Sequence, residues 1–249
     1  MAETSKTADQ ALALLLELVE RGPMTAAELA RNLELNRTVV HRLLTTLHGR
    51  GFINRHARGY APGAVLVQMA QRVQPELRAA AAGIMARIGR EIGETVVLHI
   101  VDGDDALVLD QYVGVRHIVR VEHDIGSRHS LAVGASGRAL LAYLPAKTID
   151  RVCRNAAHPD TLRRQLDGVR QLGYALSHDE LQRGVHGVAV PVLDSHAHAL
   201  ASLAVIVPPD RAARLVDNVD DLAHAAAEIA LSVYGETSAD GMAVRAVSA

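Results

Sequence analysis

Residues 36–50 constrain the fold of this chain more than any other part of the sequence. At about 100° per residue, one arc of a helix over this stretch is apolar and the opposite arc carries hydrogen-bonding groups. The apolar arc consists of Val39, Val40, Leu43, Leu44 and Leu47, and the polar arc of Arg37, Thr38, His41, Arg42, Thr45 and His48. Asn36 suits the N-cap, and Gly49 and Gly51 can end the helix. The pattern predicts an amphipathic helix, and taken alone it fits an ordinary solvated helix better than one that reads DNA.

The sequence before this helix favours the interpretation that the helix reads DNA. Residues 7–21 space their apolar side chains as a helix does, and Gly22-Pro23 ends the pattern. Residues 25–28 form a capping box, in which Thr25 and Glu28 each satisfy a backbone donor, so a second, short helix begins there. Only residues 32–35 then separate the second helix from the third. This spacing predicts a helix-turn-helix whose third helix reads base edges in the major groove of double-stranded DNA.

Two short strands are predicted after the third helix, at residues 52–55 and 58–61, with His56-Ala57 between them. Such a hairpin is a wing, in which Arg55 and Arg58 can meet phosphates. The candidate DNA-contacting residues are Thr25, Arg37, Thr38, His41, Arg42, Thr45, Arg55 and Arg58.

The distribution of charge agrees with this placement. The net charge is −2, but residues 1–72 carry +3 and the remainder −5. Within residues 31–62, six arginines face a single acid, Glu34. The positive potential is therefore concentrated on the predicted recognition helix and wing.

The rest of the chain predicts a sheet covered by helices. A linker helix is expected over residues 63–74 and a longer helix over 75–92. Strands are expected at 95–101, 106–113, 117–123, 174–177, 187–193 and 200–207, and helices at 136–144, after 146, at 161–172 and at 209–234. The tail after Glu236 is small and polar and is expected to be disordered.

Three ordered motifs resemble the IclR family of bacterial transcription regulators. The first is L-A (29–30) through N-R-T-V-V-H-R-L-L-T-T-L (36–47) to G-F (51–52). The second is G-S-R-H-S-L (126–131) with G-R-A-L-L-A (137–142). The third is G-Y-A-L-S (173–177), E-L (180–181), G-V (184–185), A-V-P-V (189–192) and Asp194. The resemblance extends to about Tyr234.

The resemblance implies an α+β chain with a winged helix-turn-helix (1–62), a linker helix (63–74) and a GAF-like effector-binding domain (75–236), leaving 237–249 as the tail. It also implies a palindromic operator, a small-molecule effector, and a homodimer or a tetramer built as a dimer of dimers. Helix one, apolar at residues 11–16, is the candidate DNA-domain interface, although those leucines could equally be core. The sequence does not decide between repressor and activator.

The candidate effector site lies around residues 133–136. Free N–H groups and the positive end of a helix dipole can hold a carboxylate there, although a plain N-cap at Ser136 explains the same pattern. The resemblance adds the strands at 187–191 and 203–207. The candidate effector contacts are Val133, Gly134, Ala135, Ser136, Gly187, Ala204 and Ile206, with Asp179 and Glu180 as polar groups at the mouth. The pocket is expected to be roomier and less polar than a site for a very small hydrophilic acid, so a small organic or aromatic acid is the expected effector.

Two other classes of function remain open. Gly134-Ala135-Ser136-Gly137-Arg138 is similar to the nucleophile elbow G-x-S-x-G, which would make the chain an acyl-transfer enzyme or hydrolase fused to a DNA-binding domain, but Arg138 replaces the last glycine. An architectural DNA-binding protein without a ligand is the third class. We expect no catalytic residue, cofactor or metal, because no cofactor motif is present and His196 and His198 fit an exposed turn.

The single cysteine, Cys153, cannot form an internal disulfide, and no apolar run reaches the roughly 18 residues of a membrane span. The N-terminus does not have the pattern of a signal peptide, because Glu17 and Glu20 interrupt its apolar run. We therefore expect a cytoplasmic protein without a membrane partner.

Overall fold

The computed structural model describes residues 4–234, which divide into two compact units with the boundary after Pro75. The first unit contains α1 (Lys6–Arg21), α2 (Ala26–Asn32), α3 (Arg37–Gly49), β1 (Ile53–His56), β2 (Gly59–Pro62) and α4 (Val65–Ala70). Its core residues include Leu14, Leu18, Leu29, Val40, Leu44 and Ile53, all at most 1% exposed. Burying each of these side chains favours folding by about 1.5–3 kcal/mol, which holds the three helices and the hairpin together.

The wing and the linker differ in detail from the sequence-based prediction. β1 pairs with β2 in antiparallel register from Ile53↔Pro62 to His56↔Gly59, so Arg58 lies in the turn and not in a strand. The linker helix expected over 63–74 is confined to α4. Gln74 has a φ of 47°. Pro75 disfavours helical backbone at the residue before it, so α4 does not continue into the next helix.

The second unit is a six-stranded antiparallel sheet with helices on both faces. Its elements are α5 (Pro75–Ile92), β3 (Thr95–Asp102), β4 (Asp105–Tyr112), β5 (Arg128–Ser130), α6 (Gly134–Leu141), α7 (Ala146–Asn155), α8 (Pro159–Leu172), β6 (Ala175–His178), β7 (His186–Leu193), β8 (Ala199–Val207) and α9 (Val219–Tyr234). The strand order is β5-β4-β3-β8-β7-β6. Residues of α5 and α9 share one apolar core with the sheet, and residues of α6, α7 and α8 share another. The alternation along the central strands therefore serves two cores, one on each face.

The strand expected at 117–123 is wrong. This stretch is irregular, and the edge strand of the sheet is instead β5, which pairs with β4. Side chains bond to the backbone in and just before this segment: Thr95 Oγ1 accepts from the N–H of Gly114, and Arg211 donates to the carbonyl of Val119. The Val119 carbonyl therefore has a partner without a neighbouring strand.

Two helices also begin elsewhere than expected. α6 begins at Gly134, with Val133 as N-cap, so the alternative of Ser136 as an N-cap is wrong. The helix expected over 209–234 consists of two short 3-10 turns, Pro209–Arg214 and Val216–Asn218, followed by α9. The Arg211 guanidinium is bound to Glu94 and holds the first turn to the start of β3. The predicted disordered tail lies outside the described residues. No helix within residues 4–234 is long and apolar enough to cross a membrane.

Candidate functional site

Helix α3 presents a polar face beside a buried one. Asn36 caps it, its Oδ1 accepting from the N–H of Thr38 at 2.9 Å, which is worth about 1 kcal/mol. Val40, Leu43 and Leu44 are buried. The exposed residues include Arg37, Thr38, His41, Arg42 and Thr45. The predicted contact face of this helix is therefore free in the unit that carries it, with two guanidinium groups on it.

Thr25 has a different role from the other candidate DNA contacts. Its hydroxyl donates to Glu28 Oε2 at 2.8 Å and accepts from the N–H of Glu28 at 3.3 Å, which completes the capping box. Because the hydroxyl hydrogen is already donated within the chain, the geometry favours Thr25 as the residue that fixes α2 and not as a phosphate donor.

The wing is held against the start of α2. Met24 and Tyr60 exchange both backbone hydrogen bonds, at 3.0 and 2.7 Å. A Cβ at Gly59, whose φ is +125°, would lie 2.2 Å from the carbonyl oxygen of Met24, so only glycine permits this approach. Arg55, in β1, and Arg58, in the turn, are both exposed near the end of the hairpin.

The second unit has a narrow cavity between the sheet and α6. Five of the predicted effector contacts line it: Ala135, Ser136, Gly187, Ala204 and Ile206. Its volume is about 20 Å³, little more than one water molecule needs, and His99, His123, Ser136 and Ser177 bring polar groups to its wall. The expectation of a roomy pocket is therefore wrong. Leu181, which follows Glu180 in the chain, lines one side of the cavity.

The oxyanion site predicted at the start of α6 is filled by the chain itself. Glu180 Oε2 accepts from the N–H of Gly134 at 3.0 Å, and both Glu180 oxygens accept from the guanidinium of Arg138 at 2.6 and 2.7 Å. The Arg138 side chain is only 5% exposed. Burial opposes ionisation of Glu180, but the hydrogen bonds from Arg138 and Gly134 outweigh it and hold the pKa of this carboxyl below its ordinary value.

Val133, Gly134 and Asp179 do not line the cavity. Gly134 has a φ of +82°, and a Cβ there would lie 2.9 Å from Leu181 Cδ1, so glycine is needed for the backbone and for the cover. Asp179 is exposed, and its carboxylate accepts from the N–H of Gly184 at 2.6 Å, which closes the loop that carries Leu181. These residues position the loop that carries Glu180 and Leu181 over the cavity, which we call its cover, and they do not line the cavity itself.

The residues that sequence reasoning missed are His99, His123, His129 and Ser177. His99 interrupts an apolar strand, and this polar residue at a buried position was the available signal. Burial lowers the pKa of His129 to about 4, with help from nearby His123. Burial also lowers the pKa of His123. His99, the His123–His129 segment and Ser177 are more than 20 positions apart in the sequence, so only the folded sheet brings them together.

One contact bears on the enzyme alternative. His129 Nε2 lies 3.1 Å from Ser136 Oγ, a distance suited to a base and a nucleophile. However, a catalytic pair needs a third group that orients the base, and none of the carboxylates in the part of the chain that the structure describes hydrogen-bonds to His129. An imidazole with a pKa of about 4 is also a weak base at neutral pH.

Histidine-rich stretches do not assemble a metal site. His196 and His198 lie in the turn between β7 and β8, where Asp194 Oδ1 accepts from both of their backbone N–H groups at 2.8 Å. Within residues 4–234, no group of three His, Cys, Asp or Glu side chains is placed to hold a metal ion.

A helix-turn-helix with a wing, followed by an antiparallel sheet that encloses a cavity, defines a DNA-binding transcription regulator with a sensor-type domain. The model of the IclR helix-turn-helix domain matches residues 7–57, and the model described as the bacterial transcriptional regulator IclR C-terminal domain matches residues 69–233. The chain therefore belongs to the IclR family of transcription regulators.

Relatives of known name agree with this assignment. The chain is 28% identical over 241 residues to the HTH-type transcriptional regulator KipR of Bacillus subtilis, covering 90% of this chain and 96% of KipR. It is 27% identical over 228 residues to the transcriptional repressor IclR of Escherichia coli, covering 81% of each. Among solved structures, an IclR homologue from Microbacterium hydrocarbonoxydans in complex with 4-hydroxybenzoate has a TM-score of 0.80 at 22% identity, covering 92% of this chain and 99% of the homologue.

Proposed function

We propose that this chain is an effector-controlled regulator, in which a small organic or aromatic acid bound in the C-terminal unit changes the affinity of the winged helix for a palindromic operator. The observation that carries the proposal is the cavity between α6 and the sheet, lined by five residues expected to contact the effector. The 4-hydroxybenzoate in the solved homologue supports an aromatic acid as the first compound to test.

A dimer of winged helices fits the exposed face of α1. Leu12, Leu16 and Val19 follow one another at helical spacing and are 61%, 59% and 55% exposed, whereas Leu14 and Leu18 are buried. The alternative that all the leucines of this helix are core is therefore wrong. Two-fold pairing through this face would present two recognition helices to a palindromic operator.

The proposed control is thermodynamic. An effector changes operator affinity only if it binds two arrangements of the protein with different affinities. We propose that effector binding moves the loop that carries Glu180 and Leu181, and that α4 and α5 transmit this change to the spacing of the paired recognition helices. We place the regulator in the bacterial cytoplasm.

Gly187 offers a sharp test of the cavity. A Cβ at this position would meet Val205 O, Ile206 Cγ2 and Ser177 Oγ at 3.4–3.5 Å, which is ordinary contact, so Gly187→Ala is expected to fold and to narrow the cavity. One misplaced methyl group in a pocket costs about tenfold or more in ligand affinity. Gly134→Trp is a poorer test, because the positive φ and Leu181 both oppose a side chain there.

The measurement is an operator titration with and without the acid found by a thermal-shift screen of organic and aromatic acids. We expect Gly187→Ala to bind the operator like the parent but to need at least about tenfold more acid for the same response. Gly168→Ala is the matched control, because a Cβ on that α8 glycine meets nothing within 4 Å. An unchanged response in Gly187→Ala would mean that the effector site lies elsewhere.

A further inference from the structure

Two buried polar side chains, one of them in the wall of the cavity, have no hydrogen-bond partner. His99 is 1% exposed and neither of its ring nitrogens has a hydrogen-bond partner; Ser202 is 0% exposed and its Oγ has none. His99 on β3 is directly opposite Ser202 on β8, so both side chains lie on the same face of the sheet. Within the described part of the chain these are the buried side-chain nitrogen and oxygen atoms left unpaired. Native proteins rarely leave such groups unpaired, and each one therefore calls for an explanation at the site.

Three imidazoles surround this corner of the cavity. The ring of His99 meets those of His123 and His129 edge to face, with centroids 6.1 and 5.4 Å apart. Gln111 fixes His123 by accepting from its backbone N–H at 3.1 Å, and Ser136 fixes His129. The rings of His123 and His129 are partly exposed, whereas His99 is buried and contributes to the wall of the cavity.

The lining suits an anion and not a cation. No acidic side chain is among the lining residues, while His99, His123, Ser136 and Ser177 all carry groups that can donate a hydrogen bond. Ala135 and Ser136 lie in the first turn of α6, where the helix dipole adds positive potential. The nearest carboxylate of the cover, Glu180, is bound to Arg138 and Gly134.

The charge state of the three rings has a consequence for binding. Burial, together with His129 and His123, lowers the pKa of His99 well below its ordinary value. The charged groups that face the other two rings are Asp105 for His129 and Asp124 for His123, and each acts to raise its pKa against the larger effect of burial. The rings are therefore neutral at pH 7, and an anion placed among them would favour the protonated form of the ring it touches.

We infer that the cavity binds the carboxylate of a small organic acid through His99, and that the complex takes up a proton from solvent when it forms. This inference rests on the proposed function and names the chemistry of its ligand site. The cavity must enlarge to admit the carboxylate. Leu181, 39% exposed at its rim, can turn outward without opening the apolar core.

The sign of the pH dependence follows from linkage. Between the pKa of the free ring and the higher pKa of the ring in the complex, the complex holds one more proton than the free protein. The affinity for the acid therefore rises as the pH falls through that interval, by up to about tenfold per pH unit for one proton taken up. Outside that interval, the free and bound rings have the same charge, so the affinity for the acid does not change with pH.

Isothermal titration calorimetry of the full chain tests the inference. Acetate, pyruvate, succinate, benzoate and 4-hydroxybenzoate are screened at millimolar concentration, and the acid that binds is titrated at pH 7 in phosphate and in Tris. These buffers differ in ionisation enthalpy, so the difference in heat gives the number of protons taken up. We expect an uptake of between about half a proton and one proton, and no binding of the corresponding amide.

His99→Gln tests the assigned residue, because glutamine keeps hydrogen-bonding groups but does not titrate in this range. We expect a loss of about tenfold or more in acid affinity and a flat pH profile. His224→Gln is the matched control, since that exposed histidine lies on α9, on the other face of the sheet. The buffer comparison uses the unchanged protein, so it decides the question even if His99→Gln does not fold.

Several outcomes would overturn the inference. These are no binding of any acid in the panel, binding without proton uptake, or stabilisation by Zn²⁺ alone that His99→Gln abolishes, which would indicate a metal site. An acid that binds without proton uptake yet alters operator affinity would leave the proposed function standing. Conversely, proton-coupled binding that leaves operator affinity unchanged would reject the proposed function and keep this site.

Discussion

At the scale of single residues, Arg138 and Glu180 change the interpretation of the effector domain. Sequence reasoning treated Arg138 as part of a family motif and as a departure from a hydrolase motif, and gave it no structural role. Its buried guanidinium binds both oxygens of Glu180 and, at 2.6 Å, the carbonyl of Leu176. The pair ties the loop over the cavity to the start of α6. A carboxylate of the chain thus occupies the position that the sequence assigned to a ligand.

Removing this carboxylate should destabilise the C-terminal unit. Breaking a fully buried ion pair costs about 3–5 kcal/mol, and since the Glu180 side chain is 31% exposed we expect roughly 2–3 kcal/mol for Glu180→Gln. The folded-state pKa of Glu180 is lowered, so its contribution is complete above the unfolded-state pKa and is lost as the pH falls through the folded-state pKa. Urea denaturation at pH 7 and at acidic pH measures both effects.

The control for this prediction is the exposed ion pair between Arg151 and Asp104, whose side chains are 49% and 45% exposed. Asp104→Asn should cost much less than Glu180→Gln, because ion pairs between exposed side chains contribute little to stability in water. Equal losses in the two variants would mean that the Glu180 pair has no special structural role.

Arg42 is the residue whose DNA contact we predict most specifically. It is exposed on α3, and a bidentate contact to guanine would make Arg42→Ala cost about 1–3 kcal/mol at the cognate operator and little at unrelated DNA. Competition titrations with both DNAs give the comparison. Arg90→Ala removes the same charge from α5 and should change neither, whereas an equal loss on both DNAs for Arg42→Ala would make it a phosphate contact.

At the scale of elements, the wing is expected to act through charge. Arg55 and Arg58 lie at the exposed end of the hairpin, which the Met24–Tyr60 bridge holds against the helix-turn-helix. Each phosphate contact contributes about 0.9 to the slope of log affinity against log salt. Replacing both arginines by glutamine should therefore flatten the slope by about 2 for each wing bound.

Binding measured over a series of salt concentrations gives this slope directly. Arg154→Gln on α7, in the other unit, serves as the control for a lost surface charge. If the double variant keeps the slope of the parent, the wing does not contact phosphates in the complex.

At the scale of the whole molecule, the exposed face of α1 predicts assembly. Leu12→Asp with Leu16→Asp would place two charges in the proposed interface, and we expect a smaller assembly together with a loss of about a hundredfold in operator affinity, because two linked recognition helices bind far better than one. Light scattering and operator titration measure the two effects.

Leu231→Asp controls for the loss of an exposed leucine, since Leu231 is 62% exposed on α9. Light scattering of the unchanged protein is the measurement that could exclude assembly. A mass equal to one chain at micromolar concentration, with and without operator, would exclude the dimer.

The sequence by itself determined the parts of this protein that depend on local pattern. The capping box at Thr25, the N-cap at Asn36, the two faces of α3 and the bounds of α5 all follow from residues within a few positions of one another. Periodicity and capping act over one or two helical turns, so they can be read from the chain directly. The three family motifs added the fold of the second unit.

Only the tertiary structure decided what fills and surrounds the cavity. Glu180 reaches Arg138 across 42 positions of sequence, and Arg211 donates to the carbonyl of Val119, 92 positions away, in the irregular segment at 117–123. His99 meets His129 and Ser202 through strand pairing, and no local pattern encodes which strands become neighbours. Long-range pairing sets burial, and burial sets which polar groups lose water and must find a partner, so the chemistry of this site could be established only once the sheet was in place.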